Sequence, residues 1–256
     1  MTIRVGVLGA GGKVGAAVCA AVAEAEDTAL ISAVDPNAVG ESTHGITITA
    51  EVADLVATGV DVVVDFTHLE PARLNLPPLG AAGIHAVVGT TGFDDSDLTD
   101  LAASFTSSNC LIAPNFAIGA VLMMRFAELA APHFERAEII ELHHEQKIDA
   151  PSGTAMKTLE RMAAAAPAGF GDDPTRTHTL AGARGAAHES GIHVHSVRMR
   201  GMVAHQEVLL GTDGETLTIR HDSYDRSSFM PGVMLAVRNI GDHPGVTVGL
   251  EPFLGL

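Results

Sequence analysis

The chain has 256 residues, enough for one large domain or two modest ones with real cores. Hydrophobic residues make up 46% and charged ones 18%, which argues against disorder, and aromatics at 4%, with no Trp and one Tyr, leave little with which to stack single-stranded nucleic acid. A formal net charge of −16 repels phosphate backbones and anionic membranes alike, so an anionic substrate needs a local cationic pocket set against that field.

Cys19 and Cys110 lie far apart with no metal-ligand spacing around them, and read as ordinary buried thiols in a reducing cytosol. The first strand-like run begins at Ile3, so no signal peptide is expected in front of it. No apolar run approaches the roughly 20 residues needed to cross a bilayer. The expectation is a soluble, cytoplasmic protein with neither nucleic acid nor membrane as partner.

The first half alternates short β-branched runs with Ala/Leu-rich stretches. Ile3–Leu8 reads as a strand, Gly12–Glu24 as a helix, and Ala29–Val34, Val60–Phe66, Ile84–Val88 and Cys110–Ala113 as further strands. Such alternation implies βαβ units, a parallel sheet and right-handed crossovers. Residues 36–50 read as a long loop, and Pro77-Pro78 should end a crossover helix early.

Between the first strand and the first helix lies Gly9-Ala10-Gly11-Gly12-Lys13-Val14-Gly15. Glycines there allow a tight turn and a close approach of backbone to a pyrophosphate. The G-x-G-x-x-G spacing fits poorly, since Val14 holds its third position; Gly9, Gly12 and Gly15 form G-x-x-G-x-x-G instead. The G-x-x-x-x-G-K-[ST] phosphate loop fails, because Val14 follows Lys13 and Val7 stands where its first Gly is needed. Asp35 closes the second strand 20 residues past Gly15, where a carboxylate accepts hydrogen bonds from an adenosine ribose. No Arg or Lys follows before Arg73, so NADH should serve at least as well as NADPH, although Lys13 could reach a phosphate. Gly89-Thr90-Thr91-Gly92 and Ala113-Pro114-Asn115-Phe116 follow later strands, where open α/β sheets bind ligands, although Thr-Gly and Pro-Asn are also ordinary turn chemistry.

After Phe116 the pattern changes. A long apolar helix is expected from Ile118 to about Ala131, then strands at Ala137–Glu145, Ile192–Arg198, Glu207–Leu210 and Thr216–His221. Short Gly-containing turns such as Gly211-Thr-Asp-Gly214 point to an antiparallel sheet. Residues 167–191 read as a long loop, Ser227–Asn239 as a helix and Val246–Leu250 as the end of a tail that could return to the first domain. The fold class expected is α/β: an N-terminal Rossmann-like parallel-sheet domain (residues 1–116 and 227–256) and a smaller α+β domain with a mostly antiparallel sheet (residues 117–226).

Glu141-Leu-His-His-Glu-Gln-Lys147 places two histidines and a lysine within five residues, and Ser152-Gly153-Thr154 then opens a helix-like run from Ala155 to Ala166. Cations beside a helix N-terminus suit a small, multiply anionic substrate, with Ser152, Gly153 and Thr154 offering N–H groups to a carboxylate. On an unbent strand His143 and Lys147 share a face with Glu141 and Glu145 while His144 points away; a bend would alter this. A solvated strand end is the plain alternative. Zincin chemistry fails because Ile148 stands at the second His of H-E-x-x-H. His193 and His195 share a strand face and read as sheet residues with satisfied hydrogen bonds. Arg200 receives no role, and Met123-Met124 reads as core.

In order and spacing, Glu141–Ala155 resembles the active-site segment of the dihydrodipicolinate (4-hydroxy-tetrahydrodipicolinate) reductases of bacterial diaminopimelate and lysine synthesis. Their pattern E-x-H-H-x-x-K-x-D-A-P-S-G-T-A is present without a gap. The glycine loop, Gly-Thr-Thr, Ala-Pro-Asn-Phe, Arg198…Gly201 and Arg226-Ser-Ser-Phe229 extend the resemblance over almost the whole chain. It implies that His143 and Lys147 are the proton-donor and catalytic pair. His144 becomes a substrate contact, and Gly153-Thr154 the holder of a substrate carboxylate. Gly89, Thr90, Thr91, Ala113, Pro114, Asn115 and Phe116 border the nicotinamide half of the cofactor, Phe66 and Thr67 are further cofactor contacts, and Gly9 to Val14 lie on its pyrophosphate. It further implies NAD(P)H-dependent reduction of a cyclic dicarboxylate, no metal, and a homotetramer assembled through the second domain's sheet. Other readings are another small dicarboxylate or amino-acid dehydrogenase, or an NAD(H) sensor without turnover; the latter would lack the proton donors, which are present.

Overall fold

The β-branched runs of the first half form short strands, and the Ala/Leu stretches between them form helices whose apolar sides cover the sheet. The structure, a computed structural model, describes residues 2–256. In chain order these elements are β1 (Ile3–Leu8), α1 (Lys13–Glu24), β2 (Thr28–Val34), β3 (Ser42–Thr43), β4 (Ile46–Thr47), α2 (Val52–Ala57), β5 (Val62–Asp65), α3 (Leu69–Ala81), β6 (His85–Val88), α4 (Asp95–Ser104) and β7 (Cys110–Ile112).

Two local expectations need correction. The stretch 36–50 is not all loop. β3 and β4 pair antiparallel around His44 (φ 47°) and Gly45 (φ 81°), a reversal that two left-handed residues make possible. Pro77 and Pro78 do not end α3, which runs on to Ala81. Ala72, Leu76 and Leu79 form one buried stripe that continues past the prolines, and Gly80 lies tight against the Ser104 backbone. Packing on that face outweighs the lost backbone donors.

A second set of elements follows: α5 (Ile118–Ala130), β8 (Arg136–His143), α6 (Gly153–Ala165), β9 (Ala186–Ala187), β10 (His193–Arg198), β11 (Ala204–Thr212) and β12 (Glu215–Ser223). The sheet order is β12-β11-β8-β10-β9, with every pair antiparallel except β8 with β10. β11 and β12 extend further than the sequence suggests and leave Asp213-Gly214 as a two-residue turn, with Gly214 at φ +86°. One face of this sheet carries Ile139, Val194, Val208 and Leu210, which pack with Leu159 and Met162 of α6 and Ala127 of α5. Residues 167–191 contain only β9 as regular structure.

The chain then forms α7 (Met230–Asn239) and β13 (Val246–Val248), which pairs parallel with β7. The first sheet is thus six-stranded, order β13-β7-β6-β5-β1-β2, and parallel throughout. Val63, Ala86, Val88 and Cys110 on one of its faces pack with Leu76, Leu79 and Leu101. Cys19 and Cys110 are both buried, free thiols, and burial pushes them up to about 11 and about 12. By contact, the chain divides into two units, Met1–Ile118 with Arg226–Leu256 and Gly119–Asp225. The chain leaves β1 for β2 on one side and later places β5 on the other, so strand order reverses at β1. Ligands of open α/β sheets bind at such a point, outside the carboxyl ends of the strands.

Candidate active site

The carboxyl ends of β1, β5, β6 and β7 are neighbours, so the loops that follow them share one edge of the first sheet. Gly9 leaves β1 at φ +78°, and its N–H donates to the Val34 carbonyl. A Cβ on Gly9 would stand 2.8 Å from the Phe66 carbonyl oxygen, and one on Gly15 only 2.0 Å from the Gly9 carbonyl oxygen. Helix α1 therefore sits directly on the loop, with Gly12 as its N-cap. Its first turn, Lys13-Val14-Gly15, carries no carboxylate to oppose an anion at the positive end of the helix. Ala10 is buried, and Gly11, Gly12 and Lys13 are exposed. Asp35 is 8% exposed, and its carboxylate accepts the N–H of Gly11 at 3.1 Å and of Asn37 at 2.9 Å. It orders the loop and retains lone pairs for a further donor.

Asp65, which the sequence reading passed over, organises the other loops. It closes β5 at 0% exposure. Its Oδ1 accepts from Thr67 N at 2.9 Å, Thr67 Oγ1 at 2.8 Å and Thr90 Oγ1 at 2.8 Å. The Thr90 hydroxyl thus faces inward, while Thr91 is exposed. Oδ2 is buried without a partner among the described residues, and burial pushes the carboxyl up against those three donors. The Phe66 and Phe116 rings lie 5.6 Å apart, and a Cβ on Gly89 would come within 2.1 Å of the Phe66 ring. Ala113 donates its N–H to Val88, Pro114 is exposed, and Asn115 Oδ1 accepts the Ala117 N–H at 2.9 Å. The sequence signal for Asp65 was present: an acid at the carboxyl end of a Val-Val-Val run.

In the second unit, β8 ends at His143, and the segment then turns, with Lys147 N–H donating to the His144 carbonyl. The unbent alternation therefore fails for Lys147, and His144 is exposed on the turn. Glu141, at 0% exposure, is the hub. It accepts from Arg198 Nη1 and Nη2, both at 2.9 Å, from the Ser152 N–H at 3.3 Å, and meets His143 Nδ1. Burial works against its charge, but the bonds from Arg198, Ser196 and His143 outweigh it, and its carboxyl lies below the usual range. Burial holds the His143 imidazole below its ordinary value, opposed by Glu141 and assisted by Lys147 and Arg198. Lys147 Nζ donates to both oxygens of Asp149 at 2.8 Å, which draws the Asp149 carboxyl down.

Ser152 is the N-cap of α6 and its Oγ accepts the Ala155 N–H at 3.2 Å. With its own N–H on Glu141, Ser152 serves the fold rather than offering a donor, contrary to the expectation for its N–H. Gly153 is exposed, Thr154 is half-buried, and both open the helix. A Cβ on Gly153 would meet nothing within 4 Å. Arg200 pairs with Glu145 at 2.9 Å on the surface. His195 Nε2 bonds Glu138 at 2.5 Å, and His193 Nε2 lies 3.4 Å from Asp173, as satisfied sheet histidines should. Among the described residues no three His, Cys, Asp or Glu side chains gather to hold a metal ion, and no helix is long and apolar enough to cross a membrane.

A parallel-sheet unit with a glycine-lined helix start and an acid closing its second strand, followed by a unit with histidine and lysine just ahead of another helix, fits an oxidoreductase that uses a nicotinamide nucleotide. Family models described as dihydrodipicolinate reductase, N-terminus, and dihydrodipicolinate reductase, C-terminus, match residues 3–116 and 119–254. The chain is 59% identical to the 4-hydroxy-tetrahydrodipicolinate reductase of Nocardia farcinica over 100% of both chains. It is 54% identical to that of Cutibacterium acnes over 99% of each. Among solved structures, a dipicolinate-bound dihydrodipicolinate reductase from Paenisporosarcina sp. TG-14 superposes with a TM-score of 0.89 at 38% identity, covering 98% of this chain and 99% of that one. The chain belongs to the dihydrodipicolinate reductase family.

Proposed function

We propose that the protein reduces 4-hydroxy-tetrahydrodipicolinate to tetrahydrodipicolinate, with release of water, in the route to diaminopimelate and lysine. The observation that carries this reading is the unbroken Glu141–Ala155 segment, folded so that His143 and the start of α6 are tied to one buried carboxylate, with Lys147 held by Asp149 on the turn between them. When bound, the reduced nicotinamide supplies a hydride. Gly9 to Val14 would hold its pyrophosphate at the start of α1, Asp35 a ribose, and the loops carrying Phe66, Thr67, Gly89, Thr90, Thr91 and Ala113 to Phe116 its nicotinamide half. Gly153 and Thr154 hold a substrate carboxylate through the helix start. His144 contacts substrate, and Lys147 balances its negative charge. His143 and Lys147 deliver the proton to the ring. The domains carry these tasks separately, residues 1–116 with 227–256 binding the dinucleotide and 117–226 the substrate.

The test is direct. The condensation product of pyruvate and aspartate semialdehyde is supplied with NADH, and loss of the reduced-nicotinamide absorbance is followed. No loss under conditions in which NADH binds would end this reading in favour of a sensor.

Asp35 favours a ribose diol and repels a 2′-phosphate, so NADH serves at least as well as NADPH. The ratio of kcat/KM for the two nucleotides should shift toward NADPH in Asp35→Ala; a parental preference for NADPH that survives the change would remove Asp35 from this task. The second unit acts as the core of a homotetramer. The sheet face opposite α6 presents half-buried Ile140, Leu142, Val197 and Leu209, a surface suited to a second copy. Light scattering on the purified protein should give four chains.

A further inference from the structure

The roles proposed for His143 and Lys147 leave unused an ion pair beside them, whose carboxylate is fully buried and whose guanidinium is mostly so. Glu141 lies on β8 and Arg198 on β10, 57 residues apart in sequence, and the guanidinium grips both carboxylate oxygens at 2.9 Å. A buried pair of this kind is weak evidence for stability, since desolvating both charges offsets most of their attraction. It also makes contacts that a structural pair does not need. Glu141 meets His143 Nδ1 and takes the Ser152 N–H; Arg198 Nη2 donates to the Asp149 carbonyl at 2.6 Å. One carboxylate and one guanidinium thus touch the imidazole, the 149–152 turn and the approach to the α6 helix start.

We propose that Glu141 and Arg198 are a positioning pair that fixes the tautomer of His143, so that protons are exchanged at Nε2, and that holds the anion-binding helix start in register with it. This rests on reading the segment as the substrate site. An ionised carboxylate only accepts, so a ring nitrogen facing it must carry hydrogen. Nδ1 therefore stays protonated, opposite to the Nε2–H form that free histidine favours, and Nε2 is the nitrogen with a lone pair. The charged groups facing the ring are Glu141 on its own strand, Arg198 on β10 and Lys147 on the turn, the last already bound to Asp149. When Nε2 gains a proton from solvent, Glu141 stabilises the imidazolium; when Nε2 gives that proton to the substrate carbon, the Nδ1–H tautomer is restored. Arg198 keeps Glu141 ionised and stops it from rotating.

The experiment uses the full chain with nitrogen-15-labelled histidine. Above its titration, His143 in the parent should show the proton on Nδ1. In Glu141→Gln the charge is lost, and the fall of kcat/KM with rising pH, which reports loss of imidazolium, should move to lower pH by about one unit or more. KM should rise as the 149–152 turn loosens, and NADH affinity, measured by fluorescence titration, should not change. Arg198→Lys, which keeps the charge but not the two-pronged grip, should fall between Glu141→Gln and the parent. A parental His143 protonated on Nε2 overturns the proposal even if no variant folds. So does a pH profile unmoved in Glu141→Gln. The tautomer is read without substrate, so an Nδ1–H ring in a protein that fails to reduce the proposed substrate would sink the reaction and leave the pair standing.

Discussion

The two helix starts proposed as anion sites are built by different means. At α1 the cradle is backbone: Gly9 turns with a positive φ, Gly15 lets the helix rest on the loop, and Asp35 holds Gly11. At α6 the site is a charge network, in which Glu141 and Arg198 join a strand, a turn and a helix cap from places far apart in the chain. The first kind of site is broken most readily by added volume, the second by lost charge. A cofactor shared by many folds needs only shape and partial charges. Delivering a proton requires a group of defined protonation state at one place.

The largest effect should come from the charged site. Lys147→Ala is expected to lower kcat by about 10²–10⁴-fold, the usual value of a positioned proton carrier. NADH affinity should stay the same, because α1 and its loop belong to the other unit; steady-state kinetics with a separate binding titration checks both. An unaltered kcat would remove Lys147 from the chemistry. The complementary break is Gly15→Ala, whose added methyl meets a backbone oxygen that cannot swing aside. It should cost about 1–3 kcal/mol, seen as a lower melting temperature and roughly tenfold weaker NADH binding. Normal affinity there would mean that the cradle is not used as described.

A smaller change should sharpen the contrast at α6. In Thr154→Val, KM for substrate rises roughly tenfold while kcat changes less, because a carboxylate is held before and during reduction alike. Loss confined to kcat would place Thr154 at the transition state instead. The smallest effect is expected from the conservative change at Asp65. Asp65→Asn keeps an oxygen for Thr67 and Thr90, so stability should change by under about 1 kcal/mol, whereas Asp65→Ala strands their donors for about 1–3 kcal/mol. The pH dependence has a definite sign. The folded carboxyl is raised, so its contribution is complete below the unfolded value of about 4 and is lost as pH rises through the folded one. Melting temperatures across that range should decline less in Asp65→Asn than in the parent; parallel curves would show that Asp65 is ionised in both states.

Much of this was legible from local pattern. Five of the six parallel strands, the glycine loop and Asp35 follow from apolar periodicity and from glycine where a turn demands it; the sixth, β13, read only as a tail. The Glu141–Ala155 motif is contiguous and could be read as a motif. What went unread has one physical character. Asp65 looked like a strand end until Thr67 and Thr90 closed on it from two loops. Pro77 and Pro78 counted as breakers because propensity ignores the buried stripe that carries α3 past them. The strand expected to reach Glu145 stops at His143, so the alternation does not extend to Lys147.

By itself, then, the sequence determined the class of fold, the glycine pattern of the cradle and the contiguous motif from which the chemical roles are proposed, because these depend on neighbours within a few positions. Only the tertiary structure decided which carboxylates are buried, which hydroxyls turn inward and which ring nitrogen of His143 is occupied. Those outcomes depend on Arg198 reaching Glu141 and on Thr90 reaching Asp65, pairings that arise only when distant strands lie side by side and water is excluded from between them.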